Sequence, residues 1–134
     1  MNLPKMYCIR QRFDDTRVKD IRETVRAELG GLSWSAIQPG HRVAITAGSR
    51  GIADIAEILA AIVEFLKSLQ ADPFLFPAMG SHGGATAEGQ VAMLEHLGVT
   101  EASAKAPIIS SMETQEIGFT EDSVPVFVDK NRAH

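Results

Sequence analysis

Two short stretches hold the side chains best placed to do chemistry. Residues 77–84 read Pro-Ala-Met-Gly-Ser-His-Gly-Gly, and residues 47–51, about thirty positions earlier, read Ala-Gly-Ser-Arg-Gly. Each follows a short apolar run and precedes a helical pattern. Glycine lets a backbone take positive φ and approach a ligand closely, at an entropic cost that an ordinary loop avoids. In the later stretch only Ser81 and His82 can bond or move a proton through a side chain. An imidazole titrates near ~6.5 when unperturbed, so His82 suits a general acid/base. In the earlier stretch Arg50 can hold a carboxylate or phosphate through two parallel hydrogen bonds. Ser49 and the amides of Gly48 and Gly51, close to a helix start, add donors for the same anion. The two stretches are expected to form two halves of one site. The bland alternatives are a solvated arginine on a turn and a loop histidine bonded to a carbonyl.

The earlier stretch is not a known nucleotide fingerprint. The lysine of a phosphate-binding loop is missing, and Gly48-Ser49-Arg50-Gly51 lacks the third glycine of a dinucleotide motif. A hydrolase using Ser49 or Ser81 with His82 stays open, without a nucleophile-elbow pattern to support it. The remaining histidines have plainer readings: His41 at the surface, His96 as a helix-end cap and His134 at the terminus. His82 and His96 lack the spacing of a metal site.

The elements that must position these residues follow from periodicity. Residues 6–12 alternate as a first strand. Thr16 or Asp20 caps a helix running to Leu29, with Val18, Ile21, Val25 and Leu29 on one side and Gly30-Gly31 ending it. Trp34 is expected to pack against the sheet. After the Pro39-Gly40 turn, residues 42–46 form a strand and residues 52–70 a long helix, apolar on most sides. Residues 74–76 form the next strand and residues 86–97 a helix without a capping box, with Ala87, Val91, Leu94 and Met93 on its buried side. A short helix over 100–106, a strand at 107–109 and two strands, 113–119 and 124–129, complete the pattern. Alternating strands and helices predict an α/β class: a Rossmann-like layered fold with a mainly parallel sheet and a C-terminal strand pair. Parallel strands put their carboxyl ends on one edge, where ligands bind in open sheets. Arg50 and His82 are thereby expected within reach of one small molecule.

Bulk properties narrow the function. A chain of 134 residues, 45% hydrophobic, suits a single α/β domain spanning 1–134. The formal net charge of −4 argues against nucleic acid and anionic membranes as partners. Cys8 is the only cysteine, so no internal disulfide forms and a cytoplasmic location is expected. Residues 1–7 hold no long apolar stretch, so no signal peptide is expected, and 52–69 is too charged to span a membrane. The last strand is followed by only a few polar residues, which reads as the N-terminal fragment of a longer enzyme.

At the two loops the chain resembles a known family. Ala78-Met79-Gly80-Ser81-His82-Gly83-Gly84 is similar to the Ala-Thr-Gly-x-His-Arg-Pro strand end of the lactate racemase family. Ser49-Arg50 falls where that family has Asp-His-Thr-Arg-Pro, and the resemblance covers residues 42–129. It implies an isomerase that acts on a 2-hydroxy acid or similar secondary alcohol by hydride transfer to a nickel-pincer nucleotide. His82 matches the proton-handling histidine, and Ser49 and Arg50 match the substrate carboxylate site. Gly48, Gly51, Gly80, Ser81 and Gly83 fall on the cofactor-side backbone. The family aspartate falls on Ala47, so the substrate need not be lactate. The implied partners are the rest of a longer chain, a small carboxylate-bearing substrate and a second copy in a homo-oligomer. No metal ligand lies in this chain, which alone is expected to be inactive. The alternative from another class is a noncatalytic module that binds a carboxylate or phosphate.

Overall fold

A computed structural model describes residues 6–132. Helix α1 (Ile21–Gly30) starts at Asp20, whose carboxylate accepts from the Glu23 amide at 2.8 Å. Such a cap satisfies an otherwise orphaned amide and is worth about 1 kcal/mol. Ile21, Val25 and Leu29, spaced along one side, are half-buried. Strand β1 (Arg42–Ala47) follows the Gly40 turn and leads to helix α2 (Ile55–Ser68), which α1 flanks. Arg22 of α1 reaches Glu64 of α2 at 2.7 Å, and Lys105 reaches the same carboxylate at 2.8 Å. These two partners, Lys105 first and Arg22 second, hold the Glu64 carboxyl below its ordinary value.

Strand β2 (Asp72–Pro77) pairs with β1 in parallel, from Arg42↔Asp72 to Ala47↔Pro77. Pro73, Phe74, Leu75 and Phe76 are all buried, and successive side chains point to opposite faces, so β2 is covered on both. Ile45 and Ala47 of β1, Leu59, Val63 and Leu66 of α2 and Leu75 of β2 form one cluster with Leu94, Val99 and Ala104. Helix α3 (Ala87–His96) supplies Leu94 and the single turn α4 (Glu101–Ala104) supplies Ala104, with Val99 in the connection between them. Residues 107–109 lie along β2: the Leu75 amide donates to the Pro107 carbonyl at 2.9 Å, and the Ile109 amide to the Leu75 carbonyl at 2.8 Å. A hairpin of β3 (Thr114–Phe119) and β4 (Pro125–Asp129) forms a second, antiparallel sheet. The described fold is thus mixed α/β, with one parallel and one antiparallel strand pair. Among the described residues no helix is long and apolar enough to cross a membrane.

Several expectations need correction. Residues 6–12 form no strand, because alternation makes a strand only where a neighbour takes its backbone hydrogen bonds, and none does here. Val18 lies outside α1 and is 56% exposed. Trp34 packs against the core cluster that the strands share, and it also meets the helices: its ring lies 5.4 Å from that of Phe65, and its indole N–H donates to the Leu29 carbonyl at 2.7 Å. Helix α2 starts at residue 55, not 52, because Gly51 and Asp54 take positive φ and cannot belong to a right-handed turn. His134 lies outside the described residues.

Candidate functional site at the carboxyl edge of the parallel pair

Both glycine loops leave the same edge, because β1 and β2 are parallel neighbours. The ladder continues one step beyond the strands, where the Ala78 amide donates to the Ala47 carbonyl at 2.8 Å. The Ser49 hydroxyl, from the loop after β1, lies 2.5 Å from His82 Nδ1, from the loop after β2. Ser49 is half-buried and His82 exposed, so the pair sits at the surface with the imidazole outermost.

The His82 loop is held from beneath by three devices. Met79 packs on the core, and its carbonyl accepts from the His82 amide at 3.3 Å. Gln90, a buried polar residue of α3, donates from Nε2 to the Gly80 carbonyl at 2.8 Å. Thr86 caps α3 by accepting from the Gly89 amide at 3.1 Å, while its hydroxyl donates to the Gly83 carbonyl at 3.1 Å. Between these anchors Gly83, Gly84 and Ala85 take φ of 63°, 68° and 54° in succession. Gly83 presses directly on Gly89: a Cβ on either residue would overlap the other's backbone. Close approach therefore requires both glycines, and its positive φ requires Gly83 a second time.

The expected site residues fall as follows. Ser49 and His82 meet. Arg50 follows Ser49 on the same edge with an exposed side chain and makes no hydrogen bond or ion pair among the described residues. Gly48 is half-buried and Gly51 turns the chain at φ 58°. Gly80 and Gly83 serve the bends of the His82 loop, and Ser81 lies exposed at the start of the 3-10 turn. His41 stands apart, accepting from the Gln38 amide at 3.2 Å. Sequence reasoning passed over Gln90 and Gly89. Gln90 shares a helical stripe with Ala87 and Leu94, and a glycine inside a helix costs about 1 kcal/mol against alanine. Both signals were present.

Two hollows lie away from the pair. One of about 600 Å³ is bounded by Thr16–Val18, the inner side of α1 and the start of α2. The other, about 360 Å³, lies between α3 and Ile108. Neither is lined by Ser49, Arg50 or His82.

No protein-family model, curated protein or solved structure matches this chain. The chemistry must therefore be read from the pair itself. A serine hydroxyl can donate or accept, so it stays bonded to Nδ1 whether the imidazole is neutral or protonated. Proton exchange then falls to Nε2, which has no partner among the described residues. As for a metal, no group of three or more His, Cys, Asp or Glu is assembled among the described residues. Neither loop holds a lysine. The residues in hand do not fit the metal side of a nickel-pincer nucleotide.

Proposed function

We propose that this edge is the substrate-facing half of an isomerase site of the lactate racemase type. In this reading the parallel pair, extended by residues 107–109, starts a Rossmann-like layered sheet. The observation that carries the reading is the Ser49–His82 hydrogen bond, which joins the two loops named by the resemblance. His82 takes the hydroxyl proton of a 2-hydroxy acid at Nε2, while Ser49 fixes the ring through Nδ1. Arg50, without a hydrogen-bond or ion-pair partner among the described residues, binds the carboxylate. A hydride acceptor would have to come from groups that these two loops do not hold, because their residues do not fit the metal side of a nickel-pincer nucleotide. The formal net charge of −4 disfavours nucleic acid and anionic membranes as partners.

Titration with small 2-hydroxy acids tests the substrate half directly. The His82 imidazole resonances should move on titration, and Arg50→Ala should abolish the movement. Resonances that stay fixed, or shifts that survive Arg50→Ala, refute the assignment. In the loaded enzyme His82→Ala should lower turnover by about a hundredfold or more.

The short serine–imidazole contact also favours a second reading, in which Ser49 is a nucleophile and His82 Nδ1 takes its proton. A fluorophosphonate that labels Ser49, and fails to label after His82→Ala, would select that reading over the first.

A further inference from the structure

Among the described residues, two elements have no strand partner beyond themselves. Every residue from 6 to 20 is exposed, and residues 6–13 make no hydrogen bond to the rest of the described chain. The β3–β4 hairpin pairs only with itself, and a lone two-stranded hairpin is at best marginally stable in water. Exposed large apolar side chains concentrate on these two elements. Tyr7, Ile9 and Phe13 are 80%, 85% and 78% exposed, and Ile117, Phe119 and Phe127 are 59%, 64% and 54% exposed. Isolated apolar surface residues are ordinary, but contiguous ones mark an interaction surface.

The two elements are complementary. In an extended backbone Tyr7, Ile9, Gln11 and Phe13 share one side, with Cys8, Arg10 and Arg12 on the other. The arm is basic up to Phe13, while the hairpin bears Glu116, Glu121 and Asp122. Glu116 stands opposite Phe127 and Phe119 opposite Pro125, so one face offers both aromatic rings and a carboxylate. Half-buried Val126 and Val128 occupy the other face. Both outer edges of the hairpin have free backbone groups, the feature that strand addition uses.

We infer that residues 6–13 of one copy add as a third strand to the β3–β4 hairpin of a second copy, with the exchange reciprocated. A two-fold pair satisfies both unpartnered elements at once, since each chain offers one arm and one hairpin. Opposite charges on arm and hairpin set the pairing and exclude arm on arm or hairpin on hairpin. The surface is separate from Ser49 and His82, and the inference stands without the isomerase reading.

The test is sedimentation of the whole chain over a wide micromolar range. Wild type should be a dimer. R10E/R12E should weaken the dimer about tenfold or more. Adding E116K/E121K to that variant should restore it, because both charge signs are then exchanged together. All four positions are exposed and outside the core, so circular dichroism should be unchanged in each variant. A wild type that stays monomeric overturns the inference, including one whose hairpin amides are protected by its own arm. So does a dimer indifferent to R10E/R12E, or one that E116K/E121K does not restore.

Discussion

Gln90→Leu is the sharpest probe of how this site is held. Leucine has nearly the volume of glutamine, so the change removes the bond to the Gly80 carbonyl without opening a cavity. A neutral hydrogen bond contributes about 0.5–1.5 kcal/mol net, and an acceptor left dry costs about 1–3 kcal/mol. Gly80 is exposed and its carbonyl can recruit water in part, which places the loss at about 1–2 kcal/mol. About 1.4 kcal/mol is tenfold in an equilibrium, so the Ser49-bonded arrangement of His82 should become about tenfold less favoured. Denaturant unfolding reads the first quantity. Peptide-resolved diethyl pyrocarbonate modification reads the second, with His41 and His96 as internal references. The expected result is faster modification of His82 alone, with a midpoint shift of that size. If stability falls but the His82 rate does not change, Gln90 supports the helix and not the loop. If neither changes, the reasoning fails. Gln90→Glu sharpens the test. A carboxylate facing the Gly80 carbonyl repels it, whereas a carboxylic acid donates, so the folded-state pKa rises. Stability is then fully present below the unfolded value and is lost as pH rises through the folded one.

Gly89→Ala forces a Cβ against the Gly83 carbonyl and within 2.7 Å of Thr86 Oγ1; neither backbone can yield cheaply, so a loss of about 1–3 kcal/mol or more is expected by thermal unfolding. The Glu64 carboxyl is held low by Lys105 and Arg22, so its contribution is present above the ordinary carboxylate range and fades as pH falls through the lowered value. Glu64 is about one-third exposed, so Glu64→Gln should cost only about 1 kcal/mol at neutral pH and nothing in strong acid, as read by paired denaturation curves. Ser49→Ala should slow an isomerase by weakening the orientation of His82 while leaving measurable turnover, and should abolish a serine esterase; steady-state rates separate the two.

Much of the scaffold was legible because its signals are local. The Asp20 cap, the two parallel strands and Thr86 at the start of α3 each follow from a few neighbouring residues, and they lie within a residue or two of expectation. The meeting of the two loops was legible at one remove, since parallel neighbours share an edge, but the pair expected was Arg50 with His82, whereas Ser49 is the residue that bonds the imidazole. What escaped depends on distant contacts. Alternation in residues 6–12 could not reveal that no strand lies beside them. Trp34 offered bulk and one donor, but its choice of Phe65 and the Leu29 carbonyl depends on where α1 and α2 meet. Gln90 was passed over because its amide is spent on a loop carbonyl ten residues away.

The Ala47–Ala78 backbone bond has an evolutionary corollary. The gap between the two loops follows the strand spacing, about 4.8 Å, and owes little to the identity of the loop side chains. Residues 50 and 81 can therefore vary while that spacing stays constant, whereas Ser49 is tied to His82 by its hydrogen bond. Selection can rewrite the chemistry of this rim without renegotiating its geometry.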